Sequence, residues 1–477
     1  MVKVNAILTI VLVIFFSSCD NNNNIETGNV SVREVATPFY VENNQFKKDG
    51  YTFLVHGINV AGDFKTPFFG KYGYFGNVTE ANFKWMREDL GFNVARLLAE
   101  WSGIEPERNF FDDNYIEEYA KRVSWAAKYN MYVFIDMHQD VYGMGFTKYW
   151  GNGAPLWSCP LKNYEEQPDV ISWEAGYLTP PVLDCEKRFW SNVDSLWYHF
   201  GESVRRIMEK FSNHPYVMGL EIMNEPFWGP WGPITFEKEY LYPFYVYVGN
   251  IIREVAPKKV IFFEPSTSRN FGFPTYLPKL NFPQLAYAPH FYFTALDFGM
   301  SYSGGATEMI KDELKMRIGE AMVHNSVPII GEFGAWVDKE SVINYLTDLF
   351  NGFDDLQMNI VQWEITDVQR KFADEINWQR WIDIVVRAYP ELWKGELVKM
   401  SYDTKEKSLL IKWNTNSGDD MIVTLPKYVY NSNCLIVGDT GKISYKWINS
   451  YQIRITATTT GSISFVVRSN LRTQDEN

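Results

Sequence analysis

An α/β barrel of eight parallel strands, followed by a small antiparallel β-sandwich, is predicted by three observations. Eight short apolar runs alternate with stretches of helical period between residues 53 and 363. Several of these runs end in a polar or charged residue, where a parallel barrel presents its functional groups. After Trp393 the helical stretches stop, and short runs separated by turn residues take over.

The strand-like runs fall at 53–59, 93–99, 131–137, 217–224, 259–264, 285–292, 327–331 and 359–363. They are nearly continuous in apolar residues, as strands covered on both faces must be. Helix-period stretches at 114–129, 196–211, 240–255, 309–324 and 341–351 supply crossovers between them. The stretches 142–189 and 227–239, after the third and fourth strands, are rich in Gly, Pro and Trp and read as long loops on the active face. The alternation defines a (β/α)8 TIM barrel, assigned to residues 39–394. Runs at 408–414, 421–425, 433–437, 442–448, 451–456 and 462–467 form the sandwich, assigned to 395–470 with a tail at 471–477. The sandwich carries no cluster of acids or histidines, so packing or spacing is its expected role.

The first residues set a location. Lys3 precedes an apolar run, 4–16, that is too short for a stable bilayer span but suits the core of a signal peptide. The run ends in Phe16-Ser17-Ser18-Cys19, which resembles a bacterial lipoprotein signal. That resemblance implies a signal peptide at 1–18, lipid on the Cys19 thiol and a polar, flexible tether at 19–38. The expected product is an exported lipoprotein anchored to a membrane, periplasmic or at the cell surface. An ordinary cleaved signal, with Cys19 incidental, is the alternative.

Composition narrows the function. A net charge of −13 without a basic tract excludes a nucleic-acid partner. Six His and four Cys lack metal-binding spacing, so neither a metal nor a cofactor is expected. Aromatic residues make up 17% of the chain, including 17 Trp, which suits clefts for sugar rings as well as a large core. Cys159 and Cys185 flank an irregular insertion, and export leaves a disulfide between them open beside two free thiols. A monomer is expected.

The strand ends hold Arg96, His138, Asn224 with Glu225, His290 with Tyr292, Glu332 and Trp363. In a barrel these converge on one face. Two glutamates there meet the need of a retaining glycosidase, one carboxylate as nucleophile and one carboxylic acid as proton donor, roughly 5–5.5 Å apart. Arg96 beside Glu332 would keep that group ionised, and the resulting charge would keep Glu225 protonated. Tyr292 would bond the nucleophile, and Asn224 the sugar's 2-hydroxyl.

Asn224-Glu225-Pro226 and Glu332-Phe333-Gly334, with Arg96, His138, His290, Tyr292 and Trp363, resemble glycoside hydrolase family 5. The resemblance implies Glu225 as acid/base and Glu332 as nucleophile. The segments 96–106, 132–142 and 153–157 are similar to endoglycoceramidases, a subgroup that also includes glucosylceramidases. Those enzymes cleave the β-glycosidic bond between oligosaccharide and ceramide in glycosphingolipids and carry a C-terminal β-sandwich. The same resemblance implies that Lys65, His138, Asp140 and Trp363 contact the sugar.

Three functions follow: an endoglycoceramidase-like hydrolase, a retaining hydrolase of glucosylceramide or of a β-glucan or β-mannan, and an inactive surface glycan-binding lipoprotein. A ceramide needs apolar surface beside the two glutamates. Met144, Phe146, Trp150, Trp157, Phe291, Phe293 and Phe298 are the sequence candidates for it.

Overall fold

A computed structural model describes residues 39–61, 73–75, 78–143, 145–146, 151–160, 174–293, 296, 301–335, 340–364 and 375–470. The expected signal peptide, tether and tail, together with Cys19 and Lys65, lie outside these residues.

The chain enters through three short antiparallel strands, β1 (Tyr40–Glu42), β2 (Gln45–Lys48) and β3 (Tyr51–Phe53). Asn43 and Asn44, both at positive φ, make the tight turn between β1 and β2, a conformation that asparagine tolerates. Eight parallel strands then close a barrel: β4 (His56–Val60), β5 (Val94–Ala99), β6 (Tyr132–Met137), β7 (Val217–Glu221), β8 (Val260–Phe263), β9 (Leu285–Tyr287), β10 (Val327–Phe333) and β11 (Asn359–Gln362). Each coincides with a strand-like run of the sequence. Two extended helices of the outer ring, Asp113–Lys128 and Leu196–Phe211, start and stop within a residue of their expected bounds.

The run at 53–59 divides in two. Its first part, β3, pairs with β12 (Tyr389–Trp393), and only the part from His56 enters the barrel. The sheet that begins with β1–β3 therefore continues into strands from beyond the barrel: β15 (Asp420–Thr424), β18 (Gln452–Ala457) and β17 (Ile443–Asn449). A second sheet holds β13 (Glu396–Asp403), β14 (Ser408–Thr415), β19 (Gly461–Ser469) and β16 (Cys434–Gly438). Every strand pair in these two sheets is antiparallel. Arg87, on the helix Glu80–Glu88, pairs with Glu391 of β12 at 2.9 Å, with both side chains buried. A buried, hydrogen-bonded pair of this kind fixes orientation more than it adds stability.

The barrel interior is layered. At its N-terminal end Phe134 stacks on Phe262 at 4.2 Å, and Phe46 of β2 and Phe39 close that end against Phe262 and Tyr132. Residues two further along a strand share its face. Arg96 thus follows Val94, Asp136 follows Phe134 and Glu264 follows Phe262, giving an ionisable layer above an apolar one. Close strand approach is needed here: a Cβ on Gly219 would lie 1.8 Å from the Val260 carbonyl oxygen. Among the described residues no helix is long and apolar enough to cross a membrane.

Candidate active site

Nine of the ten sequence-predicted catalytic and substrate-binding residues lie in the described part, and all nine gather at the C-terminal ends of the barrel strands. Arg96, on β5, is fully buried at the centre. Its Nη1 donates to Glu332 Oε1 at 2.5 Å and to Asn59 Oδ1 at 2.9 Å. Its Nε donates to Glu221 Oε2 at 2.6 Å, and its Nη2 to Asn224 Oδ1 at 2.8 Å. Asp136 and Glu264 lie 3.1 and 3.6 Å from the same guanidinium. Burial opposes its charge, but the surrounding Asp136, Glu221, Glu332 and Glu264 hold Arg96 protonated.

Glu332, near the end of β10, also accepts from the Tyr292 hydroxyl through Oε2 at 2.8 Å. Burial, then the charge of Glu332, keep that tyrosine protonated and a donor. Glu225, four residues past β7, takes the left-handed backbone conformation with φ +42°. For a non-glycine residue this costs on the order of 1–3 kcal/mol, and the fold must sustain it. Its amide donates to Glu264 Oε1 at 3.2 Å. Its Oε1 accepts from Asn270 Nδ2 at 2.7 Å and contacts His290 Nδ1 at 2.8 Å. One oxygen of Glu225 and one of Glu332 come within 4.8 Å of each other and of a His290 nitrogen.

His290 bridges the two glutamates, with Nδ1 also 3.5 Å from Glu332 and Nε2 3.3 Å from Glu264. Burial disfavours the imidazolium, but Glu264, Glu332 and Glu225 outweigh it and raise its pKa well above the ordinary value. Asp136 is held below the usual carboxylate range: burial works against its charge, and Arg96 and His138 overcome it. His138 contacts Asp136 through Nδ1 at 2.7 Å and Asp140 through Nε2 at 3.3 Å, and its ring lies parallel to Trp363. Asp140 Oδ2 accepts from Asn152 Nδ2, and the two residues exchange backbone hydrogen bonds. The sets Glu221–Glu264–His290 and Glu225–His290–Glu332 have the reach to hold a cation. Arg96 and His290 already supply positive charge at both, so no metal is assigned.

Cys159 and Cys185 are joined by a disulfide, with Cα atoms 5.4 Å apart. Of the four apolar candidates that lie in the described residues, two are buried, one is half-buried and one is exposed. Phe146 is fully buried against Tyr142. Phe291 is buried, with the Arg317 guanidinium over its ring. Trp157 packs edge-on against Trp101 and donates Nε1 to the Glu105 carbonyl. Phe293 is exposed, with one face packed on Tyr302 and Tyr345. Met144, Trp150 and Phe298 lie outside the described residues. Phe271 and Phe273, in the loop after β8, are exposed as well, at 52% and 59%.

Sequence reasoning missed Asn59, Asp136, Glu221, Glu264, Gln139 and Asn270. Asp136 carried a signal, since it precedes His138 by two residues on one strand face. Glu264 closed its strand-like run as visibly as Glu332. Gln139, whose Nε2 donates to the carbonyls of Asn224 and Glu225, and Asn270 lie in loops without a period.

Comparison with known proteins adds to this geometry. The family model described as Cellulase (glycosyl hydrolase family 5) matches residues 47–369. Endoglycoceramidase I of Rhodococcus hoagii is 28% identical over 216 residues, which are 42% of this chain and 43% of that protein. The chain thus spans under half the length of this curated relative. Endo-glycoceramidase II from Rhodococcus sp., solved as a ganglioside GM3 complex, shares the fold with a TM-score of 0.77 at 23% identity, covering 91% of this chain and all of that one. The same enzyme solved as a lactosyl-enzyme intermediate superposes with a TM-score of 0.74 at 21% identity over the same shares.

Proposed function

The chain belongs to glycosyl hydrolase family 5, and from that membership we propose that it is a retaining hydrolase of glycosphingolipids, cleaving the β-glycosidic bond between oligosaccharide and ceramide. The observation that carries the mechanism is that Glu225 and Glu332 meet at one histidine, His290 Nδ1 lying 2.8 Å from Glu225 Oε1 and 3.5 Å from Glu332 Oε2, each with its own further partners. An inverting enzyme keeps its carboxyl groups roughly 6.5–9.5 Å apart to admit a water, and a retaining one about 5–5.5 Å.

Glu332 is the nucleophile. Arg96 and Tyr292 each hold one of its oxygens and so orient the carboxylate that must attack the anomeric carbon. Glu225 donates a proton to the leaving oxygen and then, as carboxylate, draws one from the attacking water. Asn224, held by Arg96, is placed for the 2-hydroxyl, and Trp363 with His138 for the sugar ring. Lys65 and Asp140 are proposed as further sugar contacts.

The ceramide reading draws on two supports. The curated relative is an endoglycoceramidase. Phe271 and Phe273 expose aromatic surface in the same loop as Asn270, which touches the acid/base, and we assign that surface to the lipid. Burying an alkyl chain there stabilises by about 0.8 kcal/mol per methylene, enough for lipid contacts to dominate binding. We further propose that the protein is exported and anchored through lipid on Cys19, on the strength of Phe16-Ser17-Ser18-Cys19.

Mass spectrometry of products from a ganglioside, glucosylceramide and a soluble β-glucan tests the function. An intact oligosaccharide and free ceramide are the expected products of the ganglioside. Turnover of the glucan alone overturns the reading in favour of a cellulase-like activity.

A further inference from the structure

Glu225 Oε1 receives two N–H groups, Asn270 Nδ2 at 2.7 Å and His290 Nδ1 at 2.8 Å. In a carboxylic acid the carbonyl oxygen is the better acceptor, and the hydroxyl oxygen carries the proton. No hydrogen bond among the described residues reaches Oε2. We infer that Asn270 is a positioning residue for the acid/base: together with His290 it reserves Oε1 as acceptor, so the transferable proton rides on Oε2. This rests on the retaining reading of Glu225.

The loop that presents Asn270 is fixed independently of substrate. Glu237, buried in the helical turn Glu237–Leu241, accepts from the Ser266 amide at 2.9 Å, the Thr275 hydroxyl at 3.1 Å and the Tyr276 amide. One carboxylate thus clamps both ends of 266–276. Gly272, at φ +85°, turns the chain between them, and Arg269 pairs with Glu320 at 3.0 Å. An amide at 270 suits the task because it donates without charge. An acid there would repel the Glu225 carboxylate left after proton transfer, and a second cation would add to the positive charge His290 already brings.

With the proton on Oε2, the two steps balance. As Glu332 forms its bond to the anomeric carbon, the glycosidic C–O pair leaves with the aglycone oxygen, which takes the Oε2 proton and departs as an alcohol. Glu225 is left as carboxylate. Water then attacks the anomeric carbon, the Glu332 ester bond breaks, and the water's proton returns to Oε2. The titratable groups that face Glu225 from its neighbours are His290, Glu332, Glu264, Tyr292 and Tyr177.

The test uses the full chain carrying Asn270→Ala, Asn270→Asp or Asn270→Ser, with two substrates across pH. One has an alkyl or lipid leaving group that requires protonation, and the other a dinitrophenyl group that does not. Asn270→Ala should lower kcat on the first about tenfold or more with KM little changed. Its alkaline limb should move to higher pH, because a donor that favours the carboxylate has gone. Asn270→Asp should move that limb further, and Asn270→Ser, a shorter donor, should restore part of it. Formation of the glycosyl-enzyme from the dinitrophenyl glycoside should stay at the wild-type rate. Equal losses on both substrates with an unmoved pH profile would overturn the inference, as would a change in KM alone. If the wild type forms no glycosyl-enzyme, the retaining reading itself falls; if it does and the variants match it, only the role of Asn270 falls.

Discussion

Arg96 Nη1 lies 2.5 Å from Glu332 Oε1, and neither side chain is more than 6% exposed. The same guanidinium holds Glu221 and Asn224, so one buried cation joins β5, β7 and β10 beneath the reacting centre. One oxygen of Glu332, the proposed nucleophile, is therefore held from within the barrel wall, and the other by Tyr292 beyond the end of β9.

The two glutamates should separate kinetically. Glu225→Gln and Glu332→Gln should each lose most activity on a lipid glycoside, by about 100-fold or more. With an activated aryl glycoside, Glu225→Gln should still form the glycosyl-enzyme, and azide should rescue its turnover. Glu332→Gln should trap nothing. A sugar found on a peptide containing Glu225 would reverse the roles.

Arg96→Met should destabilise the fold as well as abolish activity. It strands Glu221, Asp136 and Glu332 without their cation, and breaking a buried pair costs about 3–5 kcal/mol. Urea denaturation of wild type and variant measures this. A midpoint unchanged by the substitution would show that the carboxylates take protons without cost.

Glu186 gives stability a pH dependence. Burial raises its carboxyl from 4.5 to about 8, against the one opposing bond from Trp190. It lines a small cavity with Trp101, His138 and Phe227. The folded chain thus binds a proton that the unfolded chain has released between those two values. Stability is full below the unfolded value and falls as pH rises towards 8, by about 1.4 kcal/mol per pH unit. Glu186→Gln should remove that slope and gain on the wild type as pH rises. Denaturation midpoints that stay parallel across the range would refute this.

The Cys159–Cys185 disulfide closes a loop with a sequence separation of 26. Replacing both cysteines with Ser should cost about 3–4 kcal/mol, on the loop-closure model. Calorimetry under non-reducing conditions compares the two proteins. An unchanged melting temperature would mean that the insertion is held by packing alone.

Cys19→Ala should abolish fatty-acid labelling and release the protein to the soluble fraction with its intrinsic activity intact. A wild-type protein that partitions into water without acyl label, in a host that processes lipoproteins, would refute the anchor.

Eight apolar runs with polar ends were enough to read the barrel, because a strand covered on both faces must be apolar wherever it pairs. Glu225 and Glu332 were legible for the same reason: a carboxylate closing such a run has one place to go. Period alone did not reveal who would neighbour whom. The run at 53–59 is continuous in sequence, yet β3 pairs with β12 and β4 with β5 and β11, a division made by strand pairing over hundreds of residues. Glu264 ended its run as visibly as Glu332, but its contact with His290 exists only because β8 and β9 pair side by side. Phe146 and Phe271 are alike as residues, and packing buries one and exposes the other. Asn270 lies in a loop whose path is set by the Glu237 clamp and has no period to betray it. The one-dimensional pattern determined each strand and the face its residues share, whereas contacts across the barrel depend on closure and on loop paths, which only the tertiary structure decided.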